Sequence, residues 1–222
     1  MTDIIDPGAV QQPAAPSGRK VGTVTQAARQ LFLDQGFSAT SMDAVAKAAG
    51  VSKATLYAYF PSKETLFASL ITAECEEMQR LLPQPDLSEG FVPALRRFAR
   101  QYIDVFIERK DVAFVRLIAN ESSRFPELGR LFYESGPQAT IRRLARFLDE
   151  ARADGLLQFE DSAVAATQFL SLVRGELPLR VVLGLVGLAE GAINHDIEQG
   201  LAFFLKACAP SEAASDLRGH QA

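Results

Sequence analysis

The stretch from Thr40 to Leu66, TSMDAVAKAAGVSKATLYAYFPSKETL, leaves this chain few ways to fold. Ser41 offers an acceptor oxygen to the free N–H groups of a first helical turn. Ala44, Val45, Ala48 and Ala49 then recur at helical spacing and give one small apolar face. Gly50 stops that helix, because a left-handed position after a helix costs glycine nothing, and Val51 plugs the turn. Ser52 caps a second helix from Lys53 to about Phe60, and Pro61 prevents it from continuing. The short side chains let two helices cross at about 90–120°. This is the pattern of a helix-turn-helix. In its second helix Leu56 and Phe60 form an i, i+4 pair facing inward, which leaves Lys53, Thr55, Tyr57 and Tyr59 to point elsewhere. A lysine, hydroxyls and phenols suit a phosphate-lined groove, with charge for the backbone and hydroxyls for phosphate oxygens and base edges. An ordinary helical hairpin with half-buried tyrosines has the same periodicity, so the residues alone leave both readings open.

A longer run of residues separates them. Ala27-Ala28, Leu31-Phe32 and Gly36-Phe37 precede Thr40-Ser41, Val45-Ala46, Ala49-Gly50-Val51-Ser52, Thr55-Leu56-Tyr57, Tyr59-Phe60, Lys63 and Leu66. In order and spacing, the segment from about Arg19 to Leu70 resembles the DNA-binding domain of the TetR/AcrR family of bacterial transcriptional regulators. Gly22 departs from the pattern, where a better helix former is expected, so the first helix is expected to begin a residue or two later. The resemblance implies that Ser41, Lys53, Ala54, Thr55, Tyr57, Tyr59 and Lys63 face DNA.

The charge distribution agrees. The 222-residue chain carries a formal net charge of -4. From Arg19 to Lys63, however, Arg19, Lys20, Arg29, Lys47, Lys53 and Lys63 outnumber Asp34 and Asp43, a net of +4, so the remainder carries -8. That asymmetry fits one module made for a polyanion and another kept soluble by acidic charge. No apolar run approaches the roughly 20 residues of a spanning helix, and the N-terminus lacks a basic-then-apolar signal, so a cytoplasmic protein without a membrane partner is expected. Cys75 and Cys208 have no metal-ligand spacing and read as buried thiols in a reducing compartment; a redox switch is the other reading.

The chain divides into a disordered arm over 1–18, a helix-turn-helix domain over 19–67, a helical ligand-binding and dimerisation domain over 68–209, and a flexible tail over 210–222. Arg19 and Lys20 end the arm, either reaching toward a phosphate or minor groove or standing as solvated charges. The first helix, roughly Val21 to Gln35, buries Val24, Ala27, Ala28, Leu31 and Phe32. After Pro61, Ser62 caps a fourth helix that runs to about Leu82, roughly 30 Å long, whose second half leads out of the small domain. A fifth helix starts around Pro93, and a sixth spans Asp111 to Arg124. Phe125-Pro126 and Gly136-Pro137 mark breaks. From about Gln138 to Ala153, Ile141, Leu144, Ala145 and Leu148 face inward while Arg142, Arg143 and Arg146 face out. Asp161 or Ser162 caps an eighth helix carrying Val164, Phe169, Leu172 and Val173, with Arg174 and Glu176 read as lying within a hydrophobic helix and pairing at a subunit contact or rim. Asn194 caps a ninth.

The fold expected is all-α, with a three-helix DNA-binding domain before a larger helical effector-binding and dimerisation domain. Nothing suggests an enzyme: His195 and His220 have no convergent nucleophile or carboxylate, there is no glycine-rich phosphate cradle, and no cofactor or metal is expected. The resemblance implies instead a pocket in the second domain, with Phe106, Phe114, Leu117, Asn120, Phe132 and Phe169 as candidate effector-binding residues, and a homodimer joined through the eighth and ninth helices. The stretch from Phe91 to Gly184 is similar to regulators whose effector domains resemble that of AefR. The function expected is a repressor on an inverted-repeat operator in double-stranded DNA, released by a small apolar or amphipathic effector. The alternative is a helix-turn-helix protein without an effector, controlled by a protein partner or acting structurally.

Overall fold

The computed structural model describes residues 18–108, 112–183, 185 and 190–210, and the regular elements among them are helices. They fall into two compact units, one ending at Leu66 and the other starting at Phe67. The arm over 1–17 and the tail over 211–222 lie outside the described residues.

In the first unit, α1 (Gly18–Gln35) buries Val24, Ala28 and Phe32, four residues apart on one face. It starts earlier than the sequence suggests, taking in Arg19 and Lys20 and passing through Gly22 without a break. A single glycine costs a helix only about 1 kcal/mol against alanine, less than burying Val24 and Phe32 contributes. Gly36, at φ +84°, ends α1, and the Phe37 ring returns onto Phe32 with centroids 5.3 Å apart. In α2 (Met42–Ala48) the buried face is Met42, Val45, Ala46 and Ala49, whereas Ala44 is half-buried and Ala48 exposed. The stripe starts at Met42 because its long side chain takes the interior, which turns the helix from the orientation the alanines imply. Next come α3 (Lys53–Tyr59) and α4 (Lys63–Leu81), a continuous helix about 28 Å long.

The second unit holds the rest of α4, a 3-10 turn over Leu87–Glu89, then α5 (Phe91–Glu108), α6 (Val112–Ser122), α7 (Pro126–Ser135), α8 (Pro137–Ala153), α9 (Ser162–Arg174), α10 (Leu177–Val182) and α11 (Glu190–Ala207). Its core joins α5, α8, α9 and α11 through Phe98, Leu148, Phe169 and Phe204, the last two edge to face at 5.1 Å. Gly200 lets α11 press onto α9: a Cβ there would lie 2.8 Å from the backbone carbon of Leu172.

Several side chains depart from the faces their spacing implies. Arg143 does not face out; half-buried, it donates from one nitrogen to the carbonyls of Gln79 and Leu82, both at 2.8 Å, satisfying the end of α4. Gln79 in turn donates to the Gly136 carbonyl and to the buried Thr140 hydroxyl. Asn194 caps nothing, since α11 begins at Glu190; its side-chain oxygen accepts from Arg100. Gly175, at φ +48°, ends α9 at Arg174, so Glu176 lies outside that helix, and Arg174 donates to the Ser171 hydroxyl at 3.5 Å. Pro178 then fits the first turn of α10, a helix the periodicity missed. Val164 is exposed, and α9 buries Ala165, Ala166, Phe169, Leu170 and Val173 instead.

Candidate nucleic-acid interface

The interface is assembled from two capped helix starts and the turn between them. Ser41 Oγ accepts from the Ala44 N–H at 3.1 Å and so begins α2. At the other end Gly50, at φ +66°, lets the Gly50 and Val51 N–H groups return to the carbonyls of Lys47 and Ala46, at 3.2 and 3.0 Å. This Schellman-type closure turns the chain within three residues. Ser52 then caps α3, accepting from the Thr55 N–H at 3.1 Å, while its hydroxyl lies 2.8 Å from the Thr55 hydroxyl.

Within α3, Leu56 and Phe60 are buried and fix which face turns outward. Lys53, Ala54, Tyr57 and Ala58 stand exposed; Thr55 and Tyr59 are half-buried. The Lys53 ammonium pairs with the exposed Asp43 carboxylate of α2, a contact worth at most about 1 kcal/mol in solvent that a phosphate can replace. Ser41, Tyr57 and Lys63 come together in a recess of about 460 Å3, which Ser38, Ala39 and Asp43 also line. Sequence reasoning missed Ser38 and Ala39; a small hydroxyl residue two positions after the glycine that ends α1 was the available signal. Lys63 behaves unlike the others, because its ammonium donates to the carbonyls of Phe37, Ser38 and Thr40. In this structure none of its three donors is left for a phosphate.

The five effector candidates with described side chains do not all fall in one cluster. Phe114, buried on α6, meets Phe67 edge to face at 6.2 Å, and Phe169 is fully buried against Phe204 in a different cluster. Leu117 is buried, Phe132 half-buried and Asn120 exposed; the side chain of Phe106 lies outside the described residues. A cavity of about 790 Å3 has none of the other five in its lining. It opens between α5 and α11, around Pro93, Arg96, Arg100, Ile197 and Glu198, and touches Leu81, the last residue of α4. Two described ion pairs stand at its edge, Arg96 with Glu198 at 2.6 Å and Arg100 with Asp104 at 2.9 Å.

A capped helix-turn-helix, ahead of an all-helical second unit, defines a DNA-binding regulator, and comparison with known proteins supplies the family. Residues 24–70 match the profile of bacterial regulatory proteins of the tetR family, and residues 93–210 match that of the AefR-like transcriptional repressor C-terminal domain. The chain belongs to the TetR family of bacterial transcriptional regulators: it is a DNA-binding transcriptional regulator and not an enzyme. Among solved structures it is similar to the flavonoid-responsive regulator FrrA, with 73% identity, a TM-score of 0.82, and coverage of 87% of this chain and 99% of that one. A TetR-family regulator from Mesorhizobium loti is 26% identical, with a TM-score of 0.78 and 88% and 99% coverage. The transcriptional activator FasR of Mycolicibacterium smegmatis is 26% identical over 170 residues, 75% of this chain and 71% of FasR. No helix among the described residues is long and apolar enough to cross a membrane.

Proposed function

We propose that this regulator binds an inverted-repeat operator as a homodimer and releases it when a flavonoid-class molecule binds the helical domain. The observation that carries the reading is the 73% identity to a flavonoid-responsive regulator over nearly all of that protein. Ser41, Lys53, Ala54, Thr55, Tyr57 and Tyr59 form the DNA face, and the domain over 19–67 acts as the reader. The domain over 68–209 receives the effector and pairs the subunits through α9 and α11, where Val164 and Phe203 stand exposed. Flavonoids are planar phenols. The cavity beside α5 suits one: Pro93, Val105 and Ile197 supply apolar surface, and Arg96, Gln101 and Asn194 supply polar groups.

Genome-wide mapping of bound sites identifies the operator, and titration of that complex with a panel of flavonoids tests the release. At least one flavonoid should dissociate the complex at concentrations that saturate the protein. If none alters operator affinity, the effector reading fails. The second reading, a regulator controlled by a protein partner or acting structurally, would then stand; the burial of Phe114 against Phe67 and of Phe169 against Phe204 favours it.

A further inference from the structure

Lys63 stands where a helix is least hospitable to a cation. It is the first residue of α4, beside free N–H groups and the positive end of the helix dipole. Its ammonium folds back to the turn before α2, donating to the carbonyl oxygens of Phe37 at 2.7 Å, Ser38 at 3.2 Å and Thr40 at 2.9 Å. It also lies 4.5 Å from the centre of the Phe37 ring. An ammonium has three donors, and each has a carbonyl.

The receiving turn is held from its other side as well. Thr40 is buried, and its hydroxyl lies within hydrogen-bonding distance of the Gly36 carbonyl at 2.8 Å and the Leu31 carbonyl at 3.2 Å, while Phe37 packs on Phe32. Thr40 immediately precedes Ser41, the cap of α2, and Lys63 follows the end of α3 by four residues. One side chain thus ties the entry of α2 to the exit of α3, across 23 to 26 residues of sequence. The geometry points to Lys63 as a positioning residue for DNA recognition. By gathering three converging carbonyls it fixes the frame in which α3 is presented, and it does not contact a phosphate itself. This goes beyond the assignment of the DNA face and is independent of any effector.

Lys63→Met and Lys63→Arg are compared with the unmodified protein on two duplexes, the site most enriched by genome-wide mapping and a scrambled sequence of equal length. Lys63→Met should lose about tenfold in affinity for the mapped site, comparable to the loss of one base pair's contacts. Its affinity for the scrambled duplex and its salt slope should not change. Lys63→Arg should behave as Lys63→Met does, because a planar guanidinium does not deliver three donors to three converging oxygens. Equal loss on both duplexes, a salt slope shallower by about one, and rescue by arginine would together identify a phosphate contact and overturn the proposal. So would a lower unfolding temperature with both affinities unchanged. Should neither variant fold, the unmodified protein decides by nitrogen NMR: a Lys63 ammonium signal protected from exchange and unshifted by the mapped duplex supports the tie. A signal that moves and couples to a DNA phosphorus refutes it.

Discussion

The Cys75 thiol is buried on α4, its sulfur 3.9 Å from the Phe132 carbonyl oxygen. Burial, and after it the carboxylates of Glu74 and Glu76, push its pKa from 9.0 up to about 11. A thiolate is the reactive form, so Cys75 should remain unmodified by iodoacetamide at pH 8 in the native protein and react once it is unfolded, as read by mass spectrometry. The raised pKa also sets a sign. The folded state holds this proton more tightly than the unfolded chain does, so the contribution to stability is complete below about pH 9 and is lost as pH rises through about 11. Chemical unfolding at stepped pH should show the native protein losing more stability across that window than Cys75→Ala. On the proposed DNA face, Lys53 and Ala54 are exposed on α3. Substitution at either should change which bases are preferred in a binding-site selection, without altering the unfolding midpoint.

Two glycines inside helices separate local propensity from packing. Gly22 lies within α1, where an added methyl would meet nothing within 4 Å, and Gly200 lies within α11, where it would meet the Leu172 backbone carbon at 2.8 Å. Propensity alone predicts that alanine stabilises both helices by about 1 kcal/mol. Gly22→Ala should do so. Gly200→Ala should instead destabilise by about 1–3 kcal/mol, because backbone cannot move aside as a flexible side chain can. Urea unfolding of the two variants decides the matter, and a stabilised Gly200→Ala would show that α9 and α11 are not in such close contact. The end of α4 is governed by packing in the same way: Arg143 caps it by donating to the carbonyls of Gln79 and Leu82.

At the scale of the assembly, one reader helix per chain requires a second copy to recognise a two-fold site. Footprinting should show an inverted repeat protected on one DNA face, with half-sites about 34–36 Å apart; tight binding of a lone monomer to a single half-site would refute it. α4 runs from Lys63 to Leu81, and under the proposed function a ligand that shifts its second half is expected to move the residues that follow the reader. On the proposed release mechanism, linkage requires operator DNA to weaken effector binding by the same factor by which the effector weakens operator binding, within about 1–3 kcal/mol. Titrations with and without operator measure both, and equal affinities would rule out coupling.

Several features that depend on near neighbours were legible in the order of residues. Ser41 and Ser52 cap the helices they precede, Gly50 turns the chain, and Leu56 with Phe60 orients α3, because each of these effects acts within about four residues. The breaks at Pro126 and Pro137 are legible for the same reason. Where the long and polar side chains end was settled by packing between distant segments. Lys63 finds its carbonyls more than 20 residues away, Arg143 more than 60, and Asn194 its partner Arg100 94 residues away. Phe114 and Phe169 share a chemistry but pack in separate clusters. A flexible cation or a buried ring is placed by whatever surface meets it, and spacing along one helix carries no record of that surface.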